Sequence, residues 1–158
     1  MGAAGRFRRC MSEAEPPPHL EEAIAFVRES EHPYVKLGVT DLDGVHRGKY
    51  VSRDKALSAL EGGFGFCDVI LGWDSSDQLY DGVRLTGWHT GYPDAHVRLL
   101  PETLRPLPLE NGVPFFLCEF GGAAEAVCPR GVLRRVIERA REAGYTPKAG
   151  LEYEFFVF

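Results

Sequence analysis

The residues best suited to chemistry are two glutamates in the run Gly150-Leu151-Glu152-Tyr153-Glu154-Phe155-Phe156-Val157-Phe158. Its alternation predicts a strand with Leu151, Tyr153, Phe155 and Val157 on one face. Glu152 and Glu154 then share the other face with Phe156 and Phe158. At a rise near 3.3 Å per residue, the two glutamate backbones stand about 7 Å apart. Paired carboxylates on one rigid element suit hard divalent cations such as Mg²⁺ or Mn²⁺, which prefer oxygen donors and use them to hold phosphate-bearing substrates. Alternation alone favours a plainer reading, in which both acids face water. The phenylalanines weigh against it, because a deep site with an apolar floor accounts for them better than a solvated face does.

A strand of this kind needs elements to position it. Directly upstream, Pro129 suits the first turn of a helix predicted to run to about Ala143. Val132, Leu133, Val136, Ile137 and Ala140 make its apolar stripe, and Gly144 suits its end. Gly121 to Ala124 reads as a boundary, dividing a domain over 19–120 from a second, incomplete one over 121–158. Residues 1–18, ending in three prolines, lack any apolar period and read as a disordered tail, with Met11 as an alternative start.

Within 19–120, Leu20, Ile24 and Val27 recur at helical spacing, and the helix should stop before Pro33. Val35, Leu37 and Val39 then alternate as a strand, Asp41 to Gly44 turns the chain, and Val45 to Val51 returns as a hairpin arm. Ser52 is placed to cap a short helix through Glu61, with Gly62 and Gly63 as its stop. Strands are expected over Phe64–Leu71, Val97–Leu100 and Val113–Phe120. A long polar loop follows Gly72, and Pro101, Pro106 and Pro108 interrupt the later strands. Several strands with two short helices imply an α+β arrangement.

Composition sets outer limits. With 44% hydrophobic and 26% charged residues, the chain has enough apolar surface to fill a core. A net charge of -5 argues against nucleic acid as a partner, since phosphate binding depends on clustered Lys and Arg. The arginines at 130, 134, 135, 139 and 141 have acidic neighbours and read as a solvated helix face. No apolar run approaches the roughly 18 residues of a membrane span, and no secretory signal pattern follows the basic N-terminus, so a cytoplasmic protein is expected. The four cysteines form no C-x-x-C pair and read as reduced thiols.

The run from Cys128 to Phe158, CPRGVLRRVIERAREAGYTPKAGLEYEFFVF, resembles the opening of the catalytic domain of glutamine synthetases: a Pro-Arg helix start, a helix ending in Gly, a short link and a Glu-x-Glu-Phe-Phe strand. Val39 to Tyr50 resembles the family's first hairpin, and Tyr92 to Pro101 the strand closing its β-grasp domain. The resemblance implies a β-grasp-like N-terminal domain followed by the first helix and strand of the catalytic domain. It implies an ATP-dependent ligase that phosphorylates the γ-carboxylate of glutamate and lets ammonia or an amine displace phosphate. Glu152 would ligate the Mg²⁺ or Mn²⁺ ion nearer the ATP phosphates, and Glu154 the ion nearer glutamate. A homo-oligomeric ring, in which one subunit's small domain completes the next subunit's site, is implied as well.

The pattern departs from the family where ammonia-using members carry an acidic, serine-containing loop. Here Phe66 to Leu71 stands near that place, with Asp68 or Asp74-Ser75-Ser76 as substitutes, so the nucleophile stays open between ammonia and an amine. The remaining metal ligands, the phosphate-gripping arginines and the nucleotide pocket are expected beyond Phe158, which predicts no turnover and weak metal binding for these 158 residues alone. The alternative is a non-catalytic β-grasp-like assembly module or an inactive relative.

Three lesser patterns have plainer explanations. Asp41-x-Asp43-Gly44 lacks the further acids of a calcium loop and fits a hairpin turn. Gly62 to Gly65 follows a helix instead of opening one, which fits a C-cap better than a phosphate cradle. No histidine has the i, i+4 partner of a zinc helix, and Trp73, Tyr80, Trp88 and Tyr92 suit packing or a subunit contact.

Overall fold

The computed structural model describes residues 20–158. The expected tail over 1–18, together with His19, lies outside the described residues. The chain forms helix α1 (Leu20–Glu29), strands β1 (Tyr34–Thr40) and β2 (His46–Ser52), helix α2 (Arg53–Gly62) and strand β3 (Phe64–Cys67). Strands β4 (Asp94–Leu99), β5 (Arg105–Leu107) and β6 (Val113–Phe120) and helix α3 (Pro129–Glu142) follow. The architecture is mixed α/β, with one curled six-stranded sheet in the order β2-β1-β6-β4-β3 and β5 pairing only with β6.

Local chemistry explains most boundaries. The Ser52 hydroxyl accepts from Lys55 N at 3.2 Å and so caps α2. Gly63, at φ 71°, returns its N–H to Ala59 O at 2.8 Å and ends the helix. At the hairpin tip, Asp41 Oδ1 accepts from Asp43 N and Val45 N at 3.1 and 2.8 Å, so an Asx-type turn closes the β1–β2 hairpin. Pro106 lies in β5, whose other side is unpaired, where the missing N–H breaks no ladder.

The sheet separates two environments. Val35, Leu37 and Val39 of β1, Val97 and Leu99 of β4, and Phe116, Cys118 and Phe120 of β6 share one buried cluster with Ala23 and Val27 of α1 and Ala56, Ala59 and Leu60 of α2. The intervening residues point to the opposite face, so Arg98 and Glu119, paired across β4 and β6, lie on the side where α3 sits. Between β1 and β6 the pairing is parallel, while every other strand pair is antiparallel.

Two expected strands differ. Residues 68–71 form a 3₁₀ turn, not the second half of a strand from Phe64. The β3 ladder runs out at the Cys67–Asp94 pair because β4 begins there, and Asp68 N turns aside to Pro93 O at 3.0 Å. The segment 150–158 has no strand pairing and is exposed throughout. Its alternating pattern has no neighbouring strand within the described residues to accept its backbone groups, and an unpaired ribbon is not stable in water.

Candidate functional site

Glu152 and Glu154 lie in the exposed segment well beyond Glu142, the last residue of α3. Neither carboxylate makes a hydrogen bond or ion pair with a described residue, so both keep their oxygens available. Their chemistry fits a hard divalent cation, yet no group of three or more His, Cys, Asp or Glu residues converges among the described residues. The segment alone therefore offers two donors from one strand-length run, short of the six or more oxygens such ions take.

The structure does assemble a polar centre that the sequence reading passed over. Glu119 is the one charged residue in the apolar run of β6, and its side chain is only 4% exposed. Arg98 Nη2 of β4 and Arg134 Nη1 of α3 both reach its Oε2, at 2.9 and 2.5 Å, and Arg130 Nε reaches Oε1 at 3.4 Å. Burial pushes the Glu119 carboxyl up, but the hydrogen bonds from Arg134 and Arg98 outweigh it and hold the group below the usual carboxylate range. Arg134 also meets Glu125 Oε1 at 2.9 Å, and Arg135 donates to the carbonyl oxygens of Glu125 and Ala126. The reading of these arginines as a solvated helix face is thus corrected for Arg130 and Arg134, which are half-buried against Glu119, while Arg135 stays exposed. A lone acid in an apolar strand, followed by arginines at i and i+4 on the next helix, was the available signal.

Beside this centre, α3 and the β4 end enclose a groove of about 620 Å³. Leu99, Leu100, Leu133 and Ile137 supply its apolar walls.

Both acidic candidates for the small domain's loop are engaged internally. Asp68 is buried and its Oδ1 accepts from the Thr86 hydroxyl at 2.6 Å. Asp74 Oδ1 accepts from Ser76 N and Gln78 N at 2.8 and 2.9 Å, holding its own loop in shape. Ser75 N donates to Asp43 Oδ2 at 2.7 Å, and Arg47 bridges Asp41 and Asp77 at 2.7 and 2.6 Å, which staples this loop to the β1–β2 hairpin. The aromatic group divides: Trp73 packs against the core beneath Arg47, whereas Trp88 is 84% exposed and meets Tyr92 edge-on.

Other reactive groups are quiet. Cys67, Cys118 and Cys128 are free thiols, and burial pushes Cys118 up to about 12, which keeps it protonated. His32 and His89 bond to the carbonyl oxygens of Asn111 and Arg84. No helix among the described residues is long and apolar enough to cross a membrane.

Residues 126–158 match the family described as glutamine synthetase, catalytic domain. A type-1 glutamine synthetase of Dictyostelium discoideum is 44% identical over 133 residues, covering 82% of this chain and 26% of that protein. A glutamate–isopropylamine ligase of a Pseudomonas species is 36% identical over 138 residues, covering 84% of this chain and 30% of that protein. The glutamine synthetase of Plasmodium falciparum, solved by electron cryo-microscopy, superposes with a TM-score of 0.57 at 16% identity over 80% of this chain and 23% of that one, a likeness of fold. Spanning about a quarter to three tenths of the length of those curated relatives, the chain belongs to the glutamine synthetase family.

Proposed function

We propose that the chain is the N-terminal part of an ATP-dependent ligase that joins ammonia or an amine to glutamate. In this reading a γ-carboxylate oxygen of glutamate attacks the γ-phosphorus of ATP and releases ADP. The amine nitrogen then attacks the acyl carbon of γ-glutamyl phosphate, phosphate leaves, and the nitrogen sheds a proton. Mg²⁺ or Mn²⁺ would neutralise the transferring phosphoryl group. Glu152 would serve the ion nearer the ATP phosphates and Glu154 the ion nearer glutamate. One observation carries the proposal: the family match over 126–158 is to a catalytic domain, and it includes both glutamates.

The finer parts rest on separate support. Parallel pairing of β1 with β6, the first and last strands in chain order, supports a β-grasp-like domain over 19–120. The short 3₁₀ turn at Gly122–Ala126, just before the matched region, supports a boundary near 121. Similarity to an isopropylamine ligase as well as a glutamine synthetase keeps both ammonia and small amines as nucleophiles. A homo-oligomeric ring in the cytoplasm completes the reading. A second reading, a non-catalytic assembly module, is favoured by the exposed position of Glu152 and Glu154.

Metal binding and turnover separate the two. Mn²⁺ titration of the 158-residue chain followed by electron paramagnetic resonance should show weak binding that disappears in the Glu152→Ala/Glu154→Ala double variant. In a polypeptide that joins this chain to a working nucleotide site, ADP release should require glutamate together with ammonia or an amine. There Glu154→Ala should lower kcat/KM by about 10²-fold or more, as loss of a metal ligand does. Full metal-dependent activity in that variant would refute the assignment.

A further inference from the structure

Helix α3 is attached by its charges more than by its apolar stripe. Of its residues only Gly131 is buried, while Leu133 and Val136 remain 59% and 55% exposed. An amphipathic helix normally docks through that stripe. Here the contacts with the sheet run from Arg130 and Arg134, one turn apart, to Glu119, and Arg135 ties the helix start to the Glu125 and Ala126 carbonyls.

The groove is lined by Arg98, Arg130, Arg134 and Arg141 against Glu102, Glu119 and Glu138. Arg98, Arg130 and Arg134 meet Glu119, and Arg134 also meets Glu125 outside the groove. Three of the four arginines are thus engaged within the joint itself.

We propose that Glu119 is the latch of this joint: a buried carboxylate on the second face of the sheet that, through Arg130 and Arg134, fixes the placement of α3. It thereby also fixes the start of the segment matched to a catalytic domain. The latch goes beyond the ligase reading and stands without it. Arg98 holds the carboxylate from the neighbouring strand, so Glu119 cannot follow the helix if the helix moves. Removing the charge leaves three guanidinium groups without the anion they share, and the helix has little buried apolar surface to keep it in place.

Amide hydrogen exchange on the whole 158-residue chain tests this. In Glu119→Gln, the amides over 133–142 should exchange at least about tenfold faster, while those of β1 and β6 keep their protection, as expected when one unit opens separately. Arg134→Gln removes the strongest bond from the helix side and should give the same pattern with the sheet sequence intact; it carries the test if Glu119→Gln does not fold. Arg134→Lys, which keeps the charge and loses the planar fork, should fall between Arg134→Gln and the parent. Unchanged α3 protection in both glutamine variants, or equal loss of protection in α3 and β6, would overturn the latch.

Discussion

At the scale of single residues, buried carboxylates hold this chain's irregular parts in place. Asp41 is fully buried, and its two oxygens serve two backbone N–H groups and the Arg47 guanidinium. Asp41→Ala would strand those donors, so a loss of about 3 kcal/mol is expected, read as a lower urea midpoint. Glu119 adds a pH dependence. Its ordinary value is 4.5, and in the folded chain the arginines hold it lower despite burial. Between the two values the unfolded chain binds more protons, so stability rises with pH there. The contribution is complete above 4.5 and is lost as pH falls through the lower, folded value. Glu119→Gln should flatten that part of the acid limb; urea midpoints measured at about pH 3 and about pH 6 would differ less than in the parent.

At the scale of elements, what the sequence made legible was whatever local chemistry decides. The caps at Ser52 and Gly63, the Asx turn at Asp41 and the β6 span are all readable from neighbouring residues. Gly63 gives a direct check, because a Cβ there would lie 2.4 Å from His96 Cε1 and 2.5 Å from the Val97 carbonyl oxygen, at φ 71°. Gly63→Ala should cost about 2 kcal/mol or more by thermal or urea unfolding, from backbone strain plus the clash with the β4 backbone. What the sequence did not reveal depends on contacts between distant parts. The 3₁₀ turn at Asp68–Leu71 follows from where β4 happens to start, and the Glu119 centre needs β4, β6 and α3 brought together. The alternation over 150–158 specifies which side chains would share a face, but a strand also needs a partner.

At the scale of the whole molecule, burial is lopsided. The core lies between the sheet and helices α1 and α2, whereas α3 and the segment after it leave Leu133, Val136, Leu151, Tyr153, Phe155 and Phe156 open to solvent. Equal losses of apolar side chain should therefore have unequal effects. Phe116 is wholly buried in the centre of β6, and Phe116→Ala should cost about 3–5 kcal/mol through lost burial and the cavity left behind. Leu133→Gln should change the stability of the 158-residue chain by no more than about 0.5 kcal/mol, since that side chain is already mostly in water. The comparison is a pair of urea titrations. In a ligase-competent polypeptide, where further catalytic-domain structure would cover α3, the same Leu133→Gln substitution should become costly, by about 2 kcal/mol or more. A large effect of Leu133→Gln in the 158-residue chain itself would mean that α3 already buries its stripe, and that the ion pairs at Glu119 are not what holds it.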